Sequence, residues 1–447
     1  SGCLPGAPDA VVHAASAAEV ALVLRACADA GCAVVPFGGG TSVVGGVAPA
    51  RGPFAALITL DLERMNALVD VDTTSQTATL QAGMRGPRAE TALRARGLTL
   101  GHFPQSFEYA TVGGFAATRS AGQASTGYGR FDELTRGLRL IAPRTELNVT
   151  AFPASAAGPS LLELVLGSEG SFGVITDVTV RVHAAPRFRR YAGWSMPDFD
   201  SGTALLRDLA QRRVLPDVAR LSDATETRAS LAVAAGRAAD MARRYLELRG
   251  QREPCLLVLG WEGDGATVGA RERPAARLLR KHGAISLGAA PGRAWLHGRY
   301  DGPYLRDSLL DRGVLAETLE TAAEWSHLHT VRAAVSDALQ TSLAARGTPP
   351  LVGCHVSHVY GDGASLYFTV LAAQESGHEV AQWSAAKRAA TGALQSAGGT
   401  LTHHHGVGVD HAAWLEGEVG PAGIGALRAV KTQLDPDGIM NPGKLLG

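Results

Sequence analysis

The 447-residue chain is poor in cysteine and in long apolar runs, and each shortage argues against a class of protein. Its five cysteines are odd in number, scattered and without a C-x-x-C pair, which argues against a disulfide framework, an iron–sulfur cluster and a zinc–cysteine site. No apolar run approaches the ~20 residues of a membrane span, and no signal-peptide pattern is found. A globular protein of a reducing cytoplasm fits these absences best.

An excess of charge of either sign is also missing. The 42 basic and 42 acidic residues cancel, so nothing in the overall charge favours a nucleic acid or an acidic membrane surface as a partner. Any anion that the protein binds must therefore be held by a local site. The length is typical of two or three domains, and a hydrophobic fraction of 46% is enough for substantial cores.

Glycine is abundant, and its densest cluster lies at residues 36–46. Gly38, Gly39 and Gly40 carry no Cβ, so the backbone can take positive φ angles and its N–H groups can close around an anion such as a pyrophosphate. We interpret this segment as a phosphate cradle, with a tight turn that binds nothing as the alternative. Neither P-loop spacing nor a G-x-G-x-x-G motif opening a helix is present.

Two further segments of small residues, 101–122 and 167–173, favour the ligand over the turn. The second runs into a predicted strand over residues 174–182, whose valines alternate along one face. Any one of these loops could be structural. Three of them, each beside a strand, predict a single extended cofactor that needs many backbone contacts.

The secondary-structure pattern changes near Pro186. Before it, a helix is predicted between Ser16 and Gly31, followed by a strand into the glycine loop and further short strands, an α+β pattern. After it, alanine-rich helices alternate with strands, which predicts a second, α/β domain that covers the cofactor and supplies the substrate site. A final helix over residues 424–434 precedes a proline-containing tail that we expect to pack on the first domain.

Three adjacent histidines, His403, His404 and His405, are the strongest local sign of chemistry. Because successive side chains of a strand point to opposite faces, at most two of them could bind one metal ion. Imidazole suits both proton transfer and phosphate recognition near neutral pH. We therefore favour a polar active-site role and keep a metal site and simple packing as alternatives.

Three other side chains are candidates for the same site. Tyr367 lies on a predicted strand, where a tyrosine is more often part of the core than a catalyst. Arg220 and Arg306 could each bind a planar or phosphate oxyanion. The alternative for each arginine is a structural salt bridge, with Asp223 or Asp307 respectively.

Together these segments resemble the successive motifs of the vanillyl-alcohol-oxidase type of FAD proteins and, within it, of the ether-lipid flavoenzymes called alkyldihydroxyacetonephosphate synthases. The resemblance runs from about residue 8 to the end of the chain. Its motifs lie at residues 36–46, 101–122, 167–182, 303–307, 354–368 and 401–408.

The resemblance implies an α+β fold with an FAD-binding domain of two α+β subdomains at residues 1–190. An α/β cap domain over the flavin is then expected at residues 191–405. Residues 406–447 would form a C-terminal segment that returns to the FAD domain.

FAD is the implied cofactor, and we expect it to be non-covalent, because neither histidine nor cysteine occupies the glycine loop where relatives attach flavin. The implied FAD contacts come from all three loops. They are Pro36, Phe37, Gly38, Gly39, Gly40, Thr41, Ser42, Gln105, Ser106, Tyr109, Thr111, Gly114, Thr118, Arg119, Ser120, Ala121, Glu169, Gly170, Gly173, Val174 and Ile175.

The implied reaction is an alkyl transfer without net oxidation. The flavin N5 is expected to hold C1 of acyl-dihydroxyacetone phosphate while the fatty acid leaves and a fatty alcohol enters. By position, Tyr367 matches the proton-transferring tyrosine and Arg306 a substrate-contacting arginine. The implied catalytic set is Tyr367, His403, His404, His405, His102 and Arg220.

The runner-up function comes from the same fold, in flavin dehydrogenases of D-2-hydroxy acids that bind a metal through H-x-G-D-G-N-x-H and E-H-G-x-G motifs. Residues 358–363 faintly resemble the first motif, but His404 stands where the second has its carboxylate ligand. We therefore expect no metal. A flavin-binding protein without turnover is the third hypothesis.

The expected partners are small lipid substrates, acyl-dihydroxyacetone phosphate and a fatty alcohol, and no nucleic acid. Peripheral membrane contact and a homodimer stay open, as does a segment preceding Ser1. The chain ends in Leu445-Leu446-Gly447 rather than the peroxisomal Ser-Lys-Leu, so we expect a cytoplasmic enzyme.

Overall fold

The computed structural model describes residues 6–233 and 244–446, and these residues divide into two units. The glycine-loop unit contains residues up to 122, residues 128–185 and residues from 404 onward. The seven-stranded unit contains residues 123–127 and 186–403.

The glycine-loop unit begins with a parallel three-stranded sheet in the order β1-β3-β2, formed by β1 (Ala10–His13), β2 (Cys32–Phe37) and β3 (Ala56–Asp61). Helix α1 (Ala17–Ala30) connects the first two strands. The Ser16 side chain accepts a hydrogen bond from the N–H of Glu19, and Gly31 ends the helix at φ 61°. The predicted helix and the strand that leads into the glycine loop are thus confirmed.

A second, antiparallel sheet of five strands has the order β4-β5-β9-β7-β8. Its strands are β4 (Leu68–Asp72), β5 (Thr77–Gln81), β7 (Thr135–Ile141), β8 (Glu146–Val149) and β9 (Val174–Arg181), and β6 (Leu98–Thr99) pairs with β10 (His183–Ala184). The prediction for residues 174–182 is confirmed, since the side chains of Val174, Val178 and Val180 are buried. The helices of this half of the chain are α2 (Gly86–Arg94), α3 (Val112–Ala117), α4 (Ser125–Tyr128), α5 (Phe131–Leu134) and α6 (Leu161–Val165).

The seven-stranded unit has the strand order β14-β11-β13-β12-β16-β17-β15. The strands are β11 (Phe188–Met196), β12 (Val218–Ser222), β13 (Cys255–Gly263), β14 (Ile285–Gly288), β15 (Val314–Glu324), β16 (Leu351–Val356) and β17 (Gly363–Ala373). Helices and strands alternate along the chain as the sequence predicted. All the pairings described for this sheet are nonetheless antiparallel.

The helices of this unit are α7 (Phe199–Gln211), α8 (Ala224–Val233), α9 (Gly265–Lys281), α10 (Ala290–Gly298), α11 (Gly302–Leu310), α12 (Leu328–Ala344) and α13 (Glu379–Ser396). Apolar side chains of α7, α9, α12 and α13 form one core with Phe368, Cys354 and Leu319 of the sheet. Because side chains alternate along a strand, Tyr367 and His355, each next to a core residue, point to the opposite face.

The chain ends in the glycine-loop unit with α14 (Leu415–Leu434) and a short tail. The tail continues the first sheet, because Val34 donates to the carbonyl of Ile439 and the N–H of Asn441 donates to the carbonyl of Val34. Among the helices in the described part of the chain, none is long and apolar enough to cross a bilayer.

Candidate active site

The glycine loop lies directly against residues 109–111, with no room for side chains. A Cβ on Gly39 would overlap the carbonyl oxygen of Tyr109, and one on Gly38 would overlap the Thr111 hydroxyl. Gly40 has φ 66°, a conformation that glycine adopts without strain. Within the described chain, the N–H groups of Gly39, Gly40 and Thr41 have no acceptor. The loop therefore presents free amide donors beside a second small-residue segment, as an anion site requires.

The third loop contacts the first both directly and through the C-terminal tail. Gly170, at φ 75°, packs against the ring of Pro36, 3.0 Å from where its Cβ would be. The Asn441 side-chain amide donates to the carbonyls of Gly46 at 3.0 Å and of Glu169 at 2.6 Å. One buried amide thus ties together two loops that are more than 120 residues apart in sequence. Sequence reasoning missed Asn441.

Glu169 fixes the segment that follows the histidine triplet. Its buried carboxylate accepts hydrogen bonds from the N–H of Val407 at 2.6 Å and of Gly408 at 2.8 Å. Burial raises the pKa of Glu169 to about 7, against these two donors, which favour the charged form. The third loop and residues 406–408 are therefore held together by a carboxylate that titrates near neutrality.

The second loop is ordered by its own side chains. Thr111 caps α3 by accepting from the N–H of Gly114 at 3.2 Å, and the Thr118 hydroxyl donates to the Gly114 carbonyl at 3.0 Å. Arg119, at φ 50°, donates from Nε to the carbonyl of Leu166 at 3.0 Å. This loop consequently contacts the start of the third.

The remaining residues predicted to contact FAD differ widely in exposure. Val174, Ile175, Ser120 and Ala121 are buried, whereas Tyr109 is 49% exposed. The others, Phe37, Ser42, Gln105, Ser106 and Gly173, lie on the same three segments. The three loops converge as the cofactor prediction requires, although the role of each residue remains a prediction.

His102 lies beneath the second loop and is fully buried. Its Nε2 is 3.1 Å from the Ser120 hydroxyl, and its ring makes edge contacts with Phe115 and Phe131 at centroid distances of 4.6 and 5.0 Å. Burial, followed by the charge of His404, lowers the pKa of His102 to about 3. His102 is therefore neutral at physiological pH and can offer one hydrogen bond but no positive charge.

An FAD molecule fits this unit by the chemistry of its donors. The glycine loop supplies free backbone amides for a pyrophosphate, and side chains deeper in the unit are polar and unsatisfied. Among the described residues, Ser168 Oγ, Ser171 Oγ and His102 Nδ1 are buried without a hydrogen-bond partner. Polar atoms buried without hydrogen bonds cost free energy, and a polar ligand that extends from the loop into the interior would remove this cost by bonding to them.

His404 and His405 belong to this unit, whereas His403 belongs to the other. The rings of His404 and His405 make an edge contact at 4.7 Å, and both are partly exposed. Gly406, at φ 87°, turns the chain directly after them. The boundary between the two units therefore falls inside the histidine triplet.

In the seven-stranded unit, a polar row crosses four strands. Ser222, His355, Tyr367 and Glu320 are successive cross-strand partners on β12, β16, β17 and β15. The Tyr367 ring stacks on His355 at 4.7 Å with an interplanar angle of 22°. Burial raises the pKa of Tyr367 to about 12, which a hydrogen bond with Thr318 partly opposes. Tyr367 is therefore a neutral phenol at physiological pH, and its proton-transferring role remains a prediction.

Arg220 lies at one end of this row. Its Nη2 is 2.6 Å from a Glu226 carboxylate oxygen and 3.1 Å from His355 Nδ1. The salt bridge suggested for Arg220 exists, but Asp223 is the wrong partner. Asp223 caps α8 at the N–H of Glu226 and binds Arg332 at 3.0 Å instead.

His403 lies at the other end of the row and is buried. Its Nε2 is 2.6 Å from the Tyr360 hydroxyl, and its ring stacks on His358 at 4.8 Å. His358 Nδ1 is in turn 2.6 Å from the Ser125 hydroxyl. Hydroxyl groups thus occupy one nitrogen of each histidine.

Arg306 is exposed on α11 and binds its neighbour Asp307 at 2.9 Å. The structural salt bridge that the sequence left open is therefore present. Within the seven-stranded unit, no described contact brings Arg306 to Tyr367 or to His403. Its predicted role in substrate binding remains a prediction.

Sequence reasoning missed four side chains in and beside the row. His355 and Glu320 belong to the row, and Glu226 and Tyr360 are hydrogen-bond partners of Arg220 and His403. Only Tyr360 had a local signal, because it stands beside the Gly361-Asp362-Gly363 turn. The other three depend on strand register and on the start of a helix.

The chain is similar to known flavoproteins over nearly its whole length. The description "FAD linked oxidases, C-terminal domain" matches residues 185–445, and "FAD binding domain" matches residues 8–150. The alkyldihydroxyacetonephosphate synthase of Dictyostelium discoideum is 33% identical over 100% of this chain and 74% of its own length.

Solved structures agree. A crystal form of an alkyldihydroxyacetonephosphate synthase matches with a TM-score of 0.80 and 30% identity over 97% of this chain and 75% of that one. Substrate-bound p-cresol methylhydroxylase matches with a TM-score of 0.71 over 98% of this chain and 88% of that one. At 13% identity, the latter likeness shows the fold alone.

Proposed function

Because the chain belongs to the FAD-linked oxidases and, within them, to the alkyldihydroxyacetonephosphate synthase family, we propose that it exchanges the acyl group of acyl-dihydroxyacetone phosphate for a fatty alcohol without net redox. FAD is its cofactor. We further propose that the cofactor is held without a covalent bond, by the amides of the glycine loop and the two loops packed against it.

The observation that carries this proposal is the buried phenol of Tyr367 in a polar row with His355 and Glu320. Replacing an acyloxy group by an alkoxy group requires protons to be taken from and returned to C1 and the oxygens. No electrons need leave the site. The Tyr367 phenol is protonated at neutral pH, and its place beside His355 and Glu320 makes it the proposed proton-transferring group of the exchange.

When bound, FAD supplies a nucleophilic ring nitrogen for C1. The protein's own contribution is positioning and charge. Tyr367 holds a proton. The hydrogen bond between His403 and the Tyr360 hydroxyl keeps a second polar pair in place, and Arg220 places a positive charge at the end of the row. Water must be kept out, and the burial of Tyr367, His355 and His403 serves this purpose.

The metal-dependent alternative is less well supported by the donors. A hydroxyl already occupies one nitrogen each of His358 and His403, and Glu320 is engaged by Thr402 and the backbone of His403. His404 replaces the carboxylate of the dehydrogenase motif. The missing carboxylate is what favours the exchange here, since His358 and His403 belong to a histidine group that could hold a metal ion.

Arg306 is proposed to bind the substrate phosphate. Its present partner, Asp307, forms an exposed ion pair of the kind that contributes little to stability. A dianionic phosphate can therefore replace the carboxylate at small cost, with gain from a charge-assisted fork of hydrogen bonds.

Because both proposed substrates are lipids, we propose peripheral contact with a membrane surface for a cytoplasmic enzyme. Helix α11 supports this idea, since it has no buried residue and exposes Tyr304 and Leu305 by 51% and 58%. A homodimer stays a prediction from the resemblance.

The decisive test is an isotope-transfer assay under strictly anaerobic conditions. Purified holoenzyme is mixed with palmitoyl-dihydroxyacetone phosphate and labelled hexadecanol, and ether product and palmitate are quantified. We expect one palmitate released per labelled ether formed, with no electron acceptor. Oxidation of D-lactate with an acceptor, abolished by a chelator, together with no ether formation, would instead establish the dehydrogenase.

A further inference from the structure

Glu320, a buried carboxylate of the polar row, lies outside the motif segments of the sequence. It lies in the middle of β15, is 4% exposed and stands directly opposite Tyr367 on β17. Burying a carboxylate in an apolar sheet is costly unless its oxygens are satisfied. A carboxylate at this position therefore needs partners.

Its described partners are the residues that open the histidine triplet. One Glu320 oxygen accepts from the Thr402 hydroxyl at 2.6 Å, and the other accepts from the N–H of His403 at 2.7 Å. Both are short, charge-assisted bonds. Glu320 thus binds two consecutive residues, Thr402 through its side chain and His403 through its backbone N–H.

Residues 400–403 are held alongside β15 by further bonds. The N–H of Thr400 donates to the Ala322 carbonyl at 2.9 Å, and the Thr321 hydroxyl donates to the Thr400 carbonyl at 2.5 Å. The backbone of His403 is consequently anchored to the same strand that faces Tyr367. The hydrogen bond from the His403 N–H to Glu320 is the one in this set that lies nearest to the His403 imidazole.

We infer that Glu320 is a positioning residue that holds His403 at a fixed distance from Tyr367. This inference rests on the proposed function and adds a residue to it, because proton exchange at C1 requires both groups to keep their places between the departure of one oxygen and the arrival of the next. A displacement of about 1 Å at such a site can reduce a rate on the order of 100-fold.

The most informative substitution is Glu320→Gln, which keeps the volume. It leaves one acceptor oxygen but sets an NH₂ group against one of the two donors, so one anchor is lost together with the charge. The matched control is Glu324→Gln on the same strand, where the carboxylate is 75% exposed. Thr402→Val removes one anchor from the opposite side and should give a smaller effect of the same kind.

Three kinetic results are expected of Glu320→Gln in the isotope-transfer assay. The kcat falls on the order of 10- to 100-fold, with KM and the Kd for FAD changed less than about twofold. In the Tyr367→Phe background, Glu320→Gln lowers kcat much less than it does in the wild type. The reason is that the Tyr367 hydroxyl, relative to which Glu320 positions His403, is already missing. Equal losses in both backgrounds would overturn the inference and indicate a merely structural role.

A readout independent of turnover is the NMR spectrum of protein labelled at histidine Cε1, with the His403 signal assigned by its loss in His403→Asn. The His403 resonance should shift in both Glu320→Gln and Thr402→Val, and not in Glu324→Gln. If wild-type enzyme forms no ether but these shifts appear, the proposed function fails and the positioning by Glu320 stands. Unchanged His403 resonances, or a wild-type kcat in Glu320→Gln, would overturn it.

Discussion

The candidate sites of the two units differ in whether backbone groups or side chains form them. In the glycine-loop unit, the candidate FAD site is made of backbone amides and carbonyls, and the closest approaches are at Gly38 and Gly39. In the seven-stranded unit, the candidate catalytic groups are side chains, aligned by cross-strand register from His355 through Tyr367 to Glu320. The first arrangement suits binding of a large cofactor and the second suits proton transfer. Substitutions should therefore separate cofactor affinity from turnover.

The largest separation is expected from Tyr367→Phe. Loss of the proton donor should lower kcat on the order of 100- to 10,000-fold, the range for a general acid, and leave the Kd for FAD unchanged. Flavin fluorescence titration and the isotope-transfer assay measure the two quantities. Tyr245→Phe, at an exposed tyrosine of the same unit, is the control and should leave both quantities unchanged.

Gly39→Ala should do the reverse. The new methyl group would overlap the Tyr109 carbonyl, so the loop must move and its backbone N–H groups would no longer point toward the bound phosphate. We expect the Kd for FAD to rise on the order of 10- to 100-fold, with kcat near wild type at saturating FAD.

Gly425→Ala is the control for that loss. It lies in α14 of the same unit with nothing within 4 Å of the new methyl group, and should slightly stabilise the helix. A wild-type Kd in Gly39→Ala would mean that the glycine loop does not hold the cofactor.

Glu169 gives the glycine-loop unit a pH dependence of stability. Its folded pKa of about 7 lies above the ordinary 4.5, so between these values the folded protein holds a proton that the unfolded chain has lost. The free energy of unfolding should therefore fall as pH rises through this window and level off above pH 7. Glu169→Gln removes that slope, so its stability relative to wild type should improve by about 2 kcal/mol from pH 5 to pH 7.

Urea unfolding at several pH values measures this difference. His102 contributes the opposite slope, since its pKa is lowered from 6.5 to about 3 and the unfolded chain binds the extra proton between them. It is present in both proteins and cancels in the comparison. Glu163→Gln, at a 53% exposed side chain, is the control. Parallel curves for wild type and Glu169→Gln would contradict an elevated pKa.

The smallest effect on stability is expected at Arg306. Because its ion pair with Asp307 is exposed, Arg306→Ala should change the free energy of unfolding by less than about 0.5 kcal/mol. If it binds the substrate phosphate, KM for the acyl ketone phosphate rises while kcat and FAD affinity persist. An unchanged KM would restrict Arg306 to the salt bridge.

The contrast between the units also explains what the sequence could predict. A glycine cluster needs no tertiary information, since consecutive residues without Cβ mark a place where backbone meets a ligand or other backbone. The alternating valines of β9 and the capped helix α1 are equally local. These features yielded the fold class and the three loops, and the resemblance yielded FAD.

The polar row could not be found in this way. Glu320 and Tyr367 are neighbours only because β15 pairs with β17 in one register, and a shift of one residue would point one of them into the core. Asn441 likewise acts on loops that start at residues 36 and 167. For Arg220, the nearest acid in sequence was wrong as a partner because the start of α8 had already engaged Asp223.

The most direct test of the account is the absorption spectrum of the flavin during one anaerobic cycle. Palmitoyl-dihydroxyacetone phosphate should bleach the flavin band, and hexadecanol alone should restore it, without oxygen or another acceptor. In Tyr367→Phe, both changes should slow together, with the starting spectrum unaltered. Bleaching by D-lactate instead, with recovery only after an electron acceptor is added, would contradict the exchange and make the protein a dehydrogenase.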